Sequence, residues 1–316
     1  MNTLSSLPFG VMFHHFHSKK IKKYGQGSIT KKKFEDIIIF LKKNFNILTP
    51  QEWLSKVEEK KLKKKDVCLT FDDALLSQYS IALKTLNKYK LKGFWFVYSS
   101  VFNGKIDNFE IHRKFRSSYY KDFDDFFLNF KTHLNKKSNI KNQKKYKKFF
   151  KLMKKFYPIY SNNDIEFRFL RDHVLTQTHY NNILSKMMIE KKINKKKLSK
   201  KLWLKNSHLK KLSNDGHIIG MHAYNHPYKL SELSYKKQLN ELKKNFLHLK
   251  NVLKKKPTSI SYPNGSFNYN TLKIINNLGV KCGFLSNMKT YNNLYPKQLV
   301  LNRLDHSIIM RKILSK

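Results

Sequence analysis

The sequence predicts an α/β chain built on a mostly parallel sheet or barrel and interrupted by a helical insertion. Three observations predict it: short apolar runs that read as buried strands, amphipathic helical patterns between them, and a long Lys-rich stretch in which the strand signal lapses. The strands are 9–13, 67–71, 94–98 and 218–221, each bounded by turn or charged residues. A fifth, 259–262, ends at Pro263; a sixth lies near 283–285 and a seventh near 299–301.

Between them, Thr30 caps a helix running to about Lys43, with Phe34, Ile37, Ile38 and Leu41 on one face. Ile81, Leu83 and Leu86 fit a helix after the second strand. Leu239, Leu242, Phe246, Leu249 and Leu253 recur at three and four residues, the clearest amphipathic helix in the chain. Leu272, Ile275 and Leu278 follow the same rule, and Gly279 stands where a C-terminal cap belongs. Residues 1–102 and 215–316 thus read as the α/β core. Residues 103–214, with Lys runs carrying interspersed Phe, Leu, Met and Trp, read as a helical insertion, either a lid over a substrate or decoration.

At 316 residues, 40% of them hydrophobic, the chain can bury a sizeable core, which excludes global disorder. Its charge is +44, from 65 Lys+Arg against 21 Asp+Glu. Such a balance suits a nucleic-acid or membrane partner. However, the lysines run along the whole length, Asn and Ile are also abundant, and all three share A/T-rich codons, so compositional drift explains it better. No nucleic-acid motif accompanies the charge, and no nucleic-acid partner is expected. An anionic sugar or a phosphate-bearing substrate remains compatible with it. Cys68 and Cys282 form neither a CxxC pair nor a disulfide framework, as expected in a reducing compartment. The opening MNTLSSLPFGVMFHHF lacks a basic region and a long apolar run, and no stretch approaches the ~20 apolar residues of a membrane span. The expectation is a cytoplasmic protein.

Five constellations carry chemistry-bearing residues, each at a strand's C-terminal end, where parallel α/β barrels place their sites. The first is Leu69-Thr70-Phe71-Asp72-Asp73. Adjacent carboxylates there repel unless compensated, and a divalent cation is the usual compensator. Alternation would send them to opposite faces, so the chain must leave strand geometry for both to meet one site. The second is His222-Ala223-Tyr224-Asn225-His226-Pro227, whose two imidazoles can share a metal in a turned loop. Alone, the first reads as a turn and the second as two surface histidines. Together, one carboxylate and two histidines make a facial triad with open positions for water and substrate. The third, Ser261-Tyr262-Pro263-Asn264-Gly265-Ser266, is a tight loop whose backbone N–H groups can face a ligand. The fourth, Phe13-His14-His15-Phe16, offers a histidine as general acid, and the fifth, Asn302-Arg303-Leu304-Asp305-His306, offers pairs that are structural or that orient a site residue.

The order Thr-Phe-Asp-Asp, His-x-x-x-His, Tyr-Pro-x-Gly resembles the polysaccharide deacetylases, the NodB-homology domain of carbohydrate esterase family 4. The likeness extends to Phe-His-His-Phe and to residues 25–30, and covers about 9–100 and 215–306. It implies a deformed (β/α) barrel that removes acetyl groups from N-acetylated sugars with Zn2+ or another divalent transition metal. It also implies Asp72 as general base, Asp73, His222 and His226 as metal ligands, the Asn264 N–H as oxyanion donor and His14 as catalytic acid. The chain departs from the family pattern at Ala74, where Gly is common, at Ala223, where Ser or Thr is common, and at Ser261, where an arginine often precedes the Pro loop. No late Leu-x-His motif is evident, although His306 is nearby, so His15 and His306 are substitutes for the acid. The lack of a signal peptide favours an intermediate of surface polysaccharide biosynthesis as substrate. Readings from other classes are a basic nucleic-acid-binding protein, which would show steep salt dependence, and a non-catalytic glycan-binding domain on the same scaffold, which would not need Asp72.

Overall fold

The computed structural model describes residues 6–18, 27–134, 143–156, 160–288 and 294–315, so residues 25 and 26 of the 25–30 stretch lie outside the described residues. The chain forms two compact units, 1–105 with 201–316, and 106–200.

The first unit is a parallel barrel. Its strands are β1 (Phe9–Phe13), β2 (Asn46–Ile47), β3 (Asp66–Phe71), β4 (Phe94–Val97), β5 (Ile218–Met221), β6 (Ser259–Ser261), β7 (Cys282–Phe284) and β8 (Arg303–Asp305). The order is β7-β6-β5-β4-β3-β1-β8, with β2 pairing β3, and each pairing is parallel. The ring nearly closes through Leu301, which bridges Phe284 in parallel, while Arg303 two residues on pairs with Gly10 of β1. The seventh strand expected near 299–301 therefore begins at Arg303 instead. Residues 297–299 coil into a 3-10 turn, and Leu301 contributes a single bridge.

Alternation sorts the strand side chains into two sets. Phe9, Val11, Phe13, Val67, Leu69, Phe71, Trp95 and Met221 join the main core with the outer helices. Cys68, Phe94, Phe96, Cys282 and Phe284 form a separate cluster with Trp53. On that same inward set stand Thr70, Ser261 and Arg303, all buried and polar. By register Thr70 is level with Phe94, Ser261 with Phe284 and Arg303 with Cys68, so polar and apolar side chains share the barrel interior.

The helices, in chain order, are α1 (Lys31–Asn44), α2 (Pro50–Glu58) and α3 (Leu83–Lys88), then α4 (Asn108–Ser118), α5 (Phe123–Thr132), α6 (Lys144–Phe156), α7 (Asn162–Phe169), α8 (Gln177–Glu190) and α9 (Lys195–Ser199), then α10 (Asn206–Asn214), α11 (Tyr235–Leu253), α12 (Tyr269–Asn277) and α13 (His306–Leu314). Thr30 caps α1 as its sequence implies, accepting from Lys33 N–H at 3.2 Å, and Phe34, Ile37, Ile38 and Leu41 are buried. Gly279 follows α12 at φ +78°. The chain re-entering from the second unit is tied to the loop after β3: Leu76 N–H donates to Leu202 and Leu204 N–H to Ala74.

The second unit contains α4 to α9 and is wholly helical among its described residues. Phe126, Phe127, Phe130 and Phe167 pack as edge and stacked pairs at its centre, with buried Ile111, Phe115, Leu184 and Met187. Asp107, Asp122, Ser161, Thr176 and Asn194 cap its helices. Among the described residues, no helix of the chain is long and apolar enough to cross a membrane.

Candidate active site and metal centre

β3 ends at Phe71, and the pleat would place Asp72 inward and Asp73 outward. The backbone avoids this by turning left-handed at Asp73 (φ +75°) and Ala74 (φ +55°), which swings the second carboxylate back to the site. Gln78 locks the turn: its Nε2 donates to the carbonyls of Asp72 (2.5 Å) and His14 (2.9 Å), joining the ends of β1 and β3.

On the opposite wall, β5 delivers His222, and left-handed Ala223 (φ +58°) and His226 (φ +52°) curl the loop so that His226 returns to it. Two residues of α11 hold this loop. Asn245 accepts from His222 N–H at 2.9 Å while donating to the Val97 carbonyl, and Glu241 accepts from the N–H groups of Tyr224 and Asn225.

The three side chains predicted as ligands come together. One ligand atom each from Asp73, His222 and His226 lies within 4.8 Å of the others. Asp73 Oδ1 is 3.4 Å from the Nε2 of both histidines. His222 Nδ1 donates to the Ser261 carbonyl at 2.7 Å, so a neutral His222 points the lone pair of Nε2 at the carboxylate. Asp73 Oδ1 is buried and makes no hydrogen bond among the described residues. Two acceptors facing each other in a buried place are costly, and a cation between them removes the conflict. The spacing fits: two ligands each about 2.05 Å from a tetrahedral metal stand about 3.4 Å apart. Without an ion, burial pushes the Asp73 carboxyl up, but His222, His14 and His226 outweigh it and hold it well below the usual carboxylate range. Burial pushes the His222 imidazole down, and the two aspartates raise it above its ordinary value.

Asp72 occupies a different setting. Its Oδ1 accepts from Arg303 Nη1 and its Oδ2 from Arg303 Nη2, both at 2.8 Å, and Ser261 Oγ donates to Oδ2 at 3.1 Å. Burial pushes its carboxyl up, but Arg303, His222 and His14 bring it below the ordinary value. His14 Nε2 lies 3.9 Å from Oδ2, and the ring is partly open to solvent.

The substitute acids are placed elsewhere. His306 is buried, stacked on Phe13 at 5.6 Å with Nδ1 at 3.3 Å from the Met12 carbonyl, inside the outer core. Leu304-Asp305-His306 does have the Leu-x-His spacing, but His306 opens α13 rather than facing the aspartates. His15 is also buried, its ring beside that of His14 at 6.2 Å. Asn264 sits left-handed (φ +52°) in the Pro loop, where the turn is held by the N–H groups of Gly265 and Ser266; its own N–H takes no part in those bonds.

Sequence reasoning missed Gln78, Glu241 and Asn245 as supports. The last two had a signal: Gln238, Glu241 and Asn245 recur at three and four residues beside Leu242, Phe246 and Leu249, and all are buried. Polar residues on the inward stripe of an amphipathic helix call for buried partners.

Residues 168–283 match the family model described as polysaccharide deacetylase, a stretch that includes His222, His226 and the Pro loop but not Asp72 or Asp73. No curated protein matches the sequence. Among solved structures, the deacetylase PplD of Streptococcus pyogenes, determined with acetate, is 18% identical and superposes with a TM-score of 0.56 over 97% of this chain and 98% of its own. IcaB from Ammonifex degensii is 14% identical, with a TM-score of 0.57 over 98% and 96%. A de-N-acetylase from Aggregatibacter actinomycetemcomitans is 13% identical, with a TM-score of 0.56 over 96% and 98%. The resemblance read from the sequence is thus met by a family model and by the fold, a nearly closed parallel barrel with surrounding helices.

Proposed function

We propose that this chain, whose family match and fold are those of the polysaccharide deacetylases, is a metal-dependent hydrolase that removes N-acetyl groups from an amino sugar or an oligosaccharide. The observation that carries the reading is the orphaned Asp73 Oδ1, equidistant from two imidazoles, with a second carboxylate, Asp72, next to it on the chain. Asp73, His222 and His226 would hold the metal. When bound, a divalent cation supplies Lewis acidity, stabilising negative charge on the carbonyl oxygen under attack.

The chain's own groups do the rest. Asp72 takes a proton from the attacking water as its oxygen bonds to the acetyl carbon. The left-handed turn at Asn264 offers its N–H to the developing oxyanion. His14, partly exposed beside Asp72, gives a proton to the amide nitrogen as the C–N bond breaks, releasing acetate and a free amine. We take the substrate to be a biosynthetic intermediate of a surface polysaccharide, with the cytoplasm as the compartment. Recovery of the native protein outside the cytoplasm would remove that part of the proposal.

The test is acetate release across a panel of N-acetylated sugars, with and without chelator, for wild type and Asp72→Asn. The expected result is chelator-sensitive release by wild type and a loss of about 10²–10⁴-fold in Asp72→Asn, the range for general acid–base groups, with metal content unchanged. Near-normal turnover by Asp72→Asn would show that Asp72 is not the base.

A further inference from the structure

Arg303 is the largest charged side chain that is fully buried in the barrel, 1% exposed, and the reaction outlined above gives it no part. Its five N–H groups are all used. Nε donates to the Leu285 carbonyl, Nη1 to Asp72 Oδ1 and Thr70 Oγ1, and Nη2 to Asp72 Oδ2 and Ser261 Oγ. A guanidinium with no spare donor and no solvent around it has one available orientation, and its fork fixes the plane of the carboxylate it grips. Space for it has been made on β1, since a Cβ on Gly10 would lie 3.0 Å from Arg303 Cγ and 3.3 Å from Cδ.

We propose that Arg303, reaching from β8, is the positioning residue of the general base in this chain, whose position 261 on β6 holds a serine where the family often has an arginine. The statement rests on the deacetylase reading. At 261 this chain has a serine whose Oγ lies 2.7 Å from Arg303 Nη2, so a longer side chain there would collide with the guanidinium, and a cation would repel it. Serine at 261 and arginine at 303 are therefore a matched pair. The contacts also choose the basic atom. Oδ2 receives both Arg303 Nη2 and Ser261 Oγ, whereas Oδ1 receives Arg303 Nη1 alone. With two lone-pair sites per oxygen, the open one belongs to Oδ1, and that is the oxygen that receives the water's proton.

The experiment compares wild type, Arg303→Ala, Arg303→Lys and the double variant Ser261→Arg/Arg303→Ser on an N-acetylated oligosaccharide from which wild type releases acetate. Zinc content and thermal midpoint are followed in parallel. Arg303→Ala is expected to lose about 100-fold or more in kcat, the lower bound for disabling a general base, with KM and zinc content within about two-fold of wild type. Added guanidinium ion should restore part of that loss in Arg303→Ala and none in Asp72→Asn. Arg303→Lys, a point charge without the fork, should fall between the two. The double variant should recover at least about ten-fold over Arg303→Ala by returning the guanidinium from β6. A folded, zinc-replete Arg303→Ala with kcat within about three-fold of wild type overturns the inference and leaves the deacetylase reading standing. Should Arg303→Ala not fold, a folded, zinc-replete double variant or Arg303→Lys decides the matter: wild-type kcat in Arg303→Lys, or no detectable turnover in the double variant, overturns it. Wild type that releases no acetate from any sugar refutes the deacetylase reading itself.

Discussion

On the β8 side of the site a buried carboxylate, Asp72, meets a guanidinium supplied by the chain, whereas on the β5 side its neighbour Asp73 meets two imidazoles and leaves Oδ1 without a hydrogen bond among the described residues. Both are buried, and both sit below the ordinary carboxylate pKa. The difference lies in the compensating charge. Arginine stays protonated at any working pH, so the Asp72 corner is complete as the chain folds. Histidine can shed its proton, so the Asp73 corner is balanced only while an imidazole is charged or an ion is bound. A site built this way keeps its base in position at all times and couples its other half to metal uptake.

The largest effect that would sharpen this contrast is on metal and turnover. Asp73→Ala should lose bound metal and reduce acetate release by roughly 10³-fold or more, the several kcal/mol of a missing Lewis acid. Asp72→Asn should lose comparable turnover while keeping its metal. Equal metal loss in both, measured by elemental analysis, would erase the distinction between the corners.

Stability of the metal-free protein comes next. Asp72→Ala strands a permanent buried cation and should cost about 3–5 kcal/mol. Asp73→Ala strands only imidazoles that can discharge, and should cost roughly 1–2 kcal/mol, the scale of lost buried hydrogen-bonding partners. Denaturant midpoints in chelator would test this, and equal shifts would break the comparison. A smaller effect belongs to the support of the β5 loop. Asn245→Ala, which removes the acceptor for His222 N–H, should weaken metal affinity about 10–100-fold with the triad intact.

The pH dependence follows from the same groups. A ligating histidine must be neutral, and the raised pKa of His222 means it holds its proton to higher pH than an ordinary imidazole. The proton therefore competes with the metal, and affinity should fall as pH drops, beginning above the ordinary histidine value of about 6.5. A titration of zinc affinity that stays flat from pH 8 to 6 would contradict it.

Much of this was legible before any coordinates. Strand positions followed from apolar runs because parallel barrel strands are buried on both faces, and β1, β5 and β6 fall where those runs lie. The triad was legible because its two motifs, one after β3 and one after β5, both stand at the C-terminal ends of strands. β2, two residues long, gave no run to read, and β8 was displaced because Arg303 breaks the apolar pattern while being fully buried. The Arg303–Asp72 contact spans 231 residues of sequence, and nothing local announces it; only the sheet order, which sets β8 beside β1 and β1 beside β3, brings the two together. Helical spacing hinted at Glu241 and Asn245 but could not name their partners, which lie at the end of β4 and in the loop after β5.

The smallest predicted effect concerns Ala74, which stands where the family commonly has glycine and adopts φ +55°. A left-handed conformation costs an L-residue about 1–2 kcal/mol, so Ala74→Gly relieves that strain. Against it stand about 0.8 kcal/mol for the buried methyl, since Ala74 is 1% exposed, and about 0.4–1 kcal/mol for the greater freedom of glycine in the unfolded chain. The terms nearly cancel, so Ala74→Gly should change stability by less than about 1 kcal/mol and leave metal content unaltered. The turn that swings Asp73 toward the histidines is then held by its surroundings, the Gln78 bonds and the Leu204 N–H on the Ala74 carbonyl, rather than by a glycine. A gain of more than about 2 kcal/mol, read from the denaturant midpoint, would mean that the alanine strains the Asp73 corner and that its neighbours do not hold it.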